Sequence, residues 1–204
     1  MPVIAIDFET ANEDRGSACA LGLAWIEGHR VVRVEERFIR PRPFRFSPIN
    51  IEIHGITPER VAHEPEVSEV LSTYLPELVG SVVLAHNAAF DISVLRAALD
   101  GCRRRYPELS YLCTVKIARL VWPELTKATL PAVAAHLGIG FEHHQAGADA
   151  WACARVAIAA AERLGVAEVA EIPDRIGLTP GVLFETGWRP CSSPRVARTL
   201  SLRS

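Results

Sequence analysis

The sequence VIAIDFETAN, residues 3–12, combines the pattern of a buried strand with two acidic residues. Apart from Asp7, residues 3–8 are apolar and rich in β-branched side chains, which predicts a strand covered on both faces. Glu9 follows Asp7 two positions later. Because side chains alternate between the faces of a strand, both carboxylates point to the same side, about 6.6 Å apart along the backbone. Two adjacent anions repel each other and resist burial, so this pair needs an explanation.

The composition is that of an ordinary globular protein. The chain has 204 residues, which suits one domain with a short appendage. Hydrophobic residues make up 49% and charged residues 23%, so a sizeable core can form. The formal net charge of −2 excludes a globally basic nucleic-acid binder. A polyanionic partner would therefore require a local basic patch or bound cations.

The cysteine pattern and the N-terminal sequence indicate the cellular compartment in which we expect the protein. The five cysteines include no CxxC pair, which argues against a zinc cluster or a disulfide framework and favours a reducing environment. The first strand begins without a basic segment and an apolar segment before it, and no apolar run reaches membrane-spanning length. We therefore expect a cytoplasmic protein without membrane association.

The pattern along the chain predicts a hairpin followed by alternating strands and helices. Residues 20–41 read as two strands joined by a turn at Glu27-Gly28-His29. Buried strands are expected at 81–87 and 111–115, and a loop at 40–48. This order predicts an α/β fold with a mixed sheet and helices on its faces. The expected helices cover residues 57–65, 67–79, 88–101, 129–137 and 148–164.

The character of the sequence changes after Gly165. We expect an α/β domain at residues 1–165 and a Pro- and Arg-containing extension at 166–204, partly packed and frayed at its end. Residues 187–204 contain four arginines and no acid. The extension could pack on the domain, bind a polymerase, mediate self-association or add a nonspecific grip on nucleic acid.

Two further acids stand near the ends of predicted elements. Asp91 follows a buried strand, and Asp149 begins a helix with His144 five residues before it. Each residue alone has an ordinary structural explanation, such as an acid in the first turn of a helix. Together with Asp7 and Glu9, however, they form a set of carboxylates at the termini where α/β sheets assemble their sites.

Divalent cations would explain why these carboxylates cluster. Hard oxygen ligands favour Mg²⁺ or Mn²⁺ over zinc. Two such ions roughly 4 Å apart activate a water and stabilise the leaving oxygen of a phosphodiester. A neutral histidine such as His144 is a suitable general base near neutral pH.

Five motifs carry a family resemblance. DFETAN, SACALG, IHGIT, AHNAAFD and HxxxxD occur in this order between about residues 3 and 164. They resemble the DnaQ-like, DEDDh family of 3′–5′ exonucleases, and more narrowly bacterial homologues of the DNA polymerase III epsilon subunit. The resemblance implies a ribonuclease H-like fold, with a mixed five-stranded sheet flanked by helices. It also implies release of nucleoside 5′-monophosphates from the 3′ end of single-stranded DNA.

The resemblance also implies roles for single residues. It gives Asp7, Glu9, Asp91 and Asp149 as ligands of two Mg²⁺ or Mn²⁺ ions. His144 matches the general base, because the histidine of the family precedes its last aspartate by five positions. The residues implied at the bound nucleic acid are Phe8, Thr10, His54, Gly55, Ile56, His86, Asn87 and Phe90.

Three alternatives stay open. The first is an exoribonuclease that trims RNA ends, similar to ribonuclease T or oligoribonuclease, since the motifs do not distinguish the 2′ position. The second is a non-catalytic module that binds 3′ ends or associates with a polymerase. The third is a zinc protein built from His136, His143 and His144.

A basic and aromatic segment follows the hairpin. Arginines and phenylalanines alternate between residues 37 and 46, where arginine can contact phosphate and aromatic rings can stack on bases. We expect the phenylalanines to pack inward and leave the role of the arginines open. The residues are Arg37, Phe38, Arg40, Arg42, Phe44, Arg45 and Phe46.

Overall fold

The computed structural model describes residues 1–194 of the chain. The expected frayed end of the extension, with three of the four arginines in residues 187–204, falls on residues 195–204 and lies outside the described residues. Within the described part, seven strands form one sheet. They are β1 (Val3–Thr10), β2 (Ala18–Glu27), β3 (Arg30–Phe38), β4 (Val82–Ala85), β5 (Leu109–Cys113), β6 (Gly181–Phe184) and β7 (Gly187–Arg189).

The sheet is mixed, with the strand order β3-β2-β1-β4-β5-β6-β7. β4 runs parallel to both β1 and β5, and the other neighbouring pairs are antiparallel. β1 lies near the centre, and the side chains of Ile4, Ala5 and Ile6 are fully buried. β4 pairs with β1 only over residues 3–5, so the acidic end of β1 pairs with β2 and extends beyond β4.

Helices cover the sheet. None of those in residues 1–194 is both long and apolar enough to cross a membrane. A short 3-10 turn spans Val169–Glu171. The α-helices are α1 (Pro48–His54), α2 (Pro58–Val61), α3 (Val67–Leu78), α4 (Ala89–Gly101), α5 (Thr114–Val121), α6 (Leu130–His136), α7 (Ala146–Leu164) and α8 (Ile172–Ile176).

The expected fold class is confirmed, but the prediction of five strands is wrong by two. β3, β2, β1, β4 and β5 are the expected strands, and β6 and β7 lie in the C-terminal extension. β6 adds to the edge of β5, with Leu183 opposite Leu109. Both added strands are short and lie between prolines, so no alternation of apolar and polar residues marks them. The sequence analysis also missed α1, α5 and α8.

One close approach fixes the start of α7 on the sheet. Gly22 of β2 faces the first turn of this helix, and a Cβ atom there would lie 1.8 Å from the carbonyl oxygen of Ala146. Only glycine leaves room for backbone to lie against backbone at this distance. The contact brings the first turn of α7, with Asp149, next to β1.

We expect Gly22→Ala to destabilise the protein by about 1–3 kcal/mol, because the added methyl group must push the start of α7 away from β2. Urea denaturation measures this change. Gly140→Ala is the matched control, since a Cβ atom at Gly140 meets no heavy atom within 4 Å. Equal stability of the two variants would contradict the close contact between β2 and α7.

Candidate active site

Three carboxylates meet at the end of β1. Asp7 and Glu9 project from this strand, and Asp149 comes from the first turn of α7. One oxygen from each carboxylate lies within 4.8 Å of the others. The structure therefore brings together acids that are 140 or more residues apart in the sequence.

Asp91 joins this region from the first turn of α4. Its side chain is 1% exposed, and Oδ1 accepts a hydrogen bond of 3.0 Å from the backbone N–H of Phe8. Asp91 lies outside the group of three, but its charge is the largest electrostatic contribution to the raised pKa of Asp7 after burial. The hydrogen bond thus holds the start of α4 against the acidic end of β1.

The pKa values of Asp7, Glu9 and Asp91 are raised by burial and by the negative charges of their neighbours. Burial raises the pKa of Asp7 well above its usual value, and the neighbouring carboxylates raise it further. Burial likewise raises the pKa of Glu9 to about 8, with Asp149 as the next cause. Burial raises the pKa of Asp91 to about 7, although the hydrogen bond from Phe8 opposes the shift. The ionised cluster is therefore unfavourable unless a positive charge compensates it.

The donor atoms fit a hard divalent cation. The grouped ligands are carboxylate oxygens, which Mg²⁺ and Mn²⁺ accept and which zinc prefers less than nitrogen or sulfur. His143 and His144 form a second group with Asp149, but His136 contacts Glu124 instead, with Nε2 3.6 Å from the carboxylate. The three-histidine zinc site is therefore not assembled among residues 1–194.

The two histidines before α7 contact Asp149 in different ways. Nδ1 of His143 hydrogen-bonds to Oδ1 of Asp149 at 2.7 Å, whereas the backbone N–H of His144 donates to Oδ2 at 2.8 Å. His144 has a positive φ of 69°, and its ring stacks on that of His143 with centroids 3.7 Å apart. Burial, followed by the charge of His143, lowers the pKa of His144. The His144 ring is therefore neutral near pH 7.

A groove of about 450 Å³ lies beside the His144 ring. His54, Gly55 and Ile56 line it. Nε2 of His54 donates to the carbonyl oxygen of Thr10 at 3.1 Å, and Nδ1 accepts from the backbone N–H of Ile56 at 3.0 Å. These bonds join three of the expected substrate-binding residues, Thr10, His54 and Ile56, into one structural unit that adjoins Glu9 in the sequence.

The other expected substrate-binding residues are placed differently. The side chain of Phe8 is 3% exposed and belongs to the core. Both ring nitrogens of His86 have protein partners at 2.9 Å, the hydroxyl of Thr114 and the carbonyl oxygen of Ala128. His86 therefore ties the start of the β4–α4 turn to α5. Asn87 is exposed in that turn, and Phe90 is half-buried.

The structure adds two charged residues that no motif indicated. Oε1 of Glu36, on β3, accepts a hydrogen bond of 3.0 Å from the backbone N–H of Gly147 and helps to line the groove. The guanidinium of Arg15 lies 4.3 Å above the ring of Phe90 and lowers the pKa of Asp91 against the effect of burial. Glu36 pairs across the sheet with Gly22, and the missing side chain of Gly22 lets the start of α7 approach the sheet there. That glycine is the only feature of the sequence that could have indicated Glu36.

The arginines after the hairpin all have carboxylate partners. Arg40 and Arg42 both pair with Glu66, and Arg45 pairs with Glu13. Arg37 likewise pairs with Glu35 at 2.8 Å. The expectation that the phenylalanines pack inward is wrong for Phe44, which is 49% exposed and contacts Phe46 edge to face.

The fold and the acidic site define the class as an exonuclease domain, and comparison with known proteins identifies the family. Residues 4–157 match the RNase T family model, which is described as an exonuclease. The chain belongs to this DnaQ-like exonuclease family. The resemblance inferred from the five sequence motifs is therefore confirmed.

Relatives and solved structures agree with this assignment. The chain is 31% identical over 161 residues to a PolC-type DNA polymerase III of Clostridium perfringens, and 30% identical over 175 residues to that of Thermotoga maritima. These matches cover 75% and 83% of this chain but only 11% and 13% of the polymerases. A structure of exonuclease X in complex with 5′ overhanging duplex DNA has a TM-score of 0.67 and 27% identity, covering 83% of this chain and 98% of that one.

We expect the metal-free protein to lose about 2 kcal/mol or more of stability as the pH rises from 5 to 8. The pKa of Glu9 is raised from 4.5 to about 8 in the folded state, and that of Asp91 from 3.8 to about 7. Between the unfolded and folded pKa values the folded state holds protons that the unfolded chain has released, so a higher pH favours unfolding. Urea denaturation in EDTA at several pH values measures this loss.

Glu9→Gln is the matched control, because glutamine keeps the shape of the side chain but does not titrate. This variant should retain, between pH 7 and 8, part of the stability that the wild-type protein loses. Superimposable pH profiles for the two proteins would contradict the raised pKa of Glu9.

Proposed function

We propose that the chain is a DEDDh-type exonuclease that removes nucleotides from the 3′ end of single-stranded DNA and releases nucleoside 5′-monophosphates. The main observation that supports this proposal is that the carboxylates of Asp7, Glu9 and Asp149 lie together beside the groove lined by His144. Family membership supports the reaction class. DNA is favoured over RNA because the similar proteins include PolC-type DNA polymerases and a DNA complex of exonuclease X.

The four acids hold two Mg²⁺ or Mn²⁺ ions in this proposal. When bound, such a pair supplies an activated water and neutralises charge on the leaving oxygen of a phosphodiester. Asp7, Glu9 and Asp149 provide the grouped oxygens, and Asp91 keeps one oxygen on the Phe8 N–H while its other oxygen remains free to bind. The raised pKa values of Asp7 and Glu9 favour this role, since bound cations remove the repulsion that raises them.

His144 serves as the general base. Its ring lines the groove, and its lowered pKa leaves it neutral and able to accept a proton near pH 7. The hydrogen bond from the backbone N–H of His144 to Asp149 ties the base to a metal ligand. His143 supports Asp149 through its own ring nitrogen, which is the usual position of a residue that orients a ligand.

The groove receives the 3′-terminal nucleotide. Its volume of about 450 Å³ lies within the usual range for a ligand cleft. His54 fixes one wall through its bonds to Thr10 and Ile56, and the guanidinium of Arg60 lies 4.3 Å above the ring of Phe38 nearby. This arrangement offers both an apolar surface for the base and a positive charge for phosphate.

The wider setting of the chain is also a proposal. The chain spans about a tenth of the length of the PolC-type relatives. We propose a cytoplasmic exonuclease domain at residues 1–165 and an extension at 166–204 that takes part in polymerase binding or self-association.

An oligonucleotide panel tests the reaction. With Mg²⁺ or Mn²⁺, 5′-labelled single-stranded DNA should shorten stepwise from the 3′ end, and more slowly if the same sequence is RNA. Asp7→Asn should lower the rate at least about a hundredfold, because it removes a charged ligand. Asp174→Asn, an exposed change on α8, is the control and should keep full activity.

Each other outcome of the panel has a defined meaning. Faster digestion of RNA than DNA would replace this proposal with the exoribonuclease alternative. Intact oligonucleotides with both cations would favour a non-catalytic module that binds 3′ ends. Full activity of Asp7→Asn would overturn the assignment of the metal ligands.

The two adjacent histidines can be separated by mutation. We expect His144→Ala to lower kcat by about 10²–10⁴ without changing the Mg²⁺ concentration that gives half-maximal activity. His143→Ala should instead raise the required Mg²⁺ concentration, because it removes the bond that orients Asp149. Steady-state kinetics over a Mg²⁺ titration measure both effects. The reverse pattern would make His143 the base.

A further inference from the structure

A second cavity of about 300 Å³ lies between the β4–α4 turn, α5 and β7. We call it the α4–β7 pocket, and its lining includes Asn87, Ser93, Arg96, Lys116 and Trp188. None of the four candidate metal ligands lines it. Its lining also shares no residue with the groove beside His144, so the two are separate cavities.

The α4–β7 pocket carries positive charge that the described protein does not neutralise. Arg96 and Lys116 are its charged lining residues, and neither forms an ion pair within residues 1–194. Asp100, one turn further along α4, instead accepts a hydrogen bond of 2.8 Å from the hydroxyl of Tyr106. The arginines after the hairpin, in contrast, all have carboxylate partners. An anion in the pocket would thus meet two cations without competition from a carboxylate of its lining.

Within residues 1–194, Arg96 has one guanidinium atom without an acceptor. Its Nε atom is buried and has no hydrogen-bond partner in the described structure. A phosphate oxygen in the pocket is an acceptor of the right charge for the guanidinium group. The Cζ atom of Arg96 lies 4.5 Å from the ring centroid of Trp188. This contact orients the guanidinium but leaves its charge available.

Trp188 supplies an exposed aromatic surface at the same place. It lies on β7 and is 44% exposed, although it is among the largest apolar side chains. An indole ring next to an arginine is a platform on which any nucleobase can stack. The exposed ring of Trp188 and the two cations Arg96 and Lys116 together match a nucleotide, which has both a base and a phosphate.

The position of the pocket connects it with the candidate active site. Asn87, with a positive φ of 72°, lines the pocket in the turn that leads to Asp91. Arg96 follows Asp91 by five residues on α4, which corresponds to about 7.5 Å along the helix axis. A single strand whose end lies at the acids is therefore within reach of the pocket.

We propose that the α4–β7 pocket binds one nucleotide unit, with its phosphate on Arg96 and Lys116 and its base against Trp188. As a contact for nucleic acid outside the acidic site, it rests on the proposed exonuclease function. Two ligands offer this same combination of base and phosphate. One is an internal nucleotide of the bound strand, and the other is a free nucleoside monophosphate. The strand is the expected source, because the pocket adjoins the helix that carries Asp91.

Binding of a fluorescein-labelled single-stranded DNA 20-mer in EDTA tests the pocket without any hydrolysis. Fluorescence anisotropy should show about tenfold weaker binding for Trp188→Ala, through loss of base stacking. Lys116→Ala should weaken binding and lower the slope of log affinity against log salt by about 0.7, which corresponds to one phosphate contact. Arg30→Ala, an exposed change in the β2–β3 hairpin, removes one positive charge elsewhere and should leave the affinity and the slope unchanged.

A small substrate separates this proposal from the proposed function. The p-nitrophenyl ester of thymidine 5′-monophosphate occupies only the acidic site, so Trp188→Ala and Lys116→Ala should hydrolyse it as fast as the wild-type protein. If no protein cleaves it or the 20-mer, the exonuclease proposal fails while the anisotropy result still decides the pocket.

Equilibrium dialysis with thymidine 5′-monophosphate in EDTA distinguishes the two sources. The strand is supported as the source if both pocket variants bind the 20-mer more weakly and Lys116→Ala does not change the binding of the mononucleotide. Binding of the mononucleotide that is lost in Lys116→Ala supports a free nucleotide instead. Unchanged affinities of both variants for both ligands would overturn the proposal.

Discussion

Mutual repulsion among carboxylates at the end of β1 is the constraint on which the arrangement of the site depends. Asp7, Glu9 and Asp149 share one small volume, and Asp91 lies close enough to raise the pKa of Asp7. Such a group is unfavourable in a folded protein unless cations or protons compensate it. The surrounding structure holds the acids in place through main-chain contacts, including the Phe8 N–H bond to Asp91. The folded protein thus holds mutually repelling carboxylates together at a point where bound divalent cations would offset the repulsion.

The sequence predicted the elements whose patterns are local and strong. β1 is a continuous apolar run, the β2–β3 hairpin has a glycine turn, and α4 and α7 show apolar residues at helical spacing. α1 was missed because it buries no residue and begins at a proline after a segment that reads as a loop. β6 and β7 were missed because they exist only as additions to the edge of β5. Their formation depends on tertiary pairing and not on a period in their own sequence.

The same distinction applies to the site. The four acids could be named because each lies at or near the end of an element that the pattern already predicted, whereas His144 was chosen over His143 from the family resemblance. Glu36 could not, since its proximity depends on the pairing of β3 with β2 and on the passage of α7 over Gly22. Arg15 and the α4–β7 pocket likewise arise from loops and edge strands that meet only in the folded chain. The ends of predicted strands and helices therefore indicate the candidate ligands, whereas their supporting neighbours can be recognised only from the folded structure.

The contact between β2 and α7 has a consequence for how the site tolerates change. Gly22 faces the carbonyl oxygen of Ala146, so main chain rests directly on main chain. The spacing between the acids of β1 and Asp149 is consequently independent of side-chain volume at this junction. This junction therefore sets the distance between these carboxylates through the backbone and not through side-chain packing.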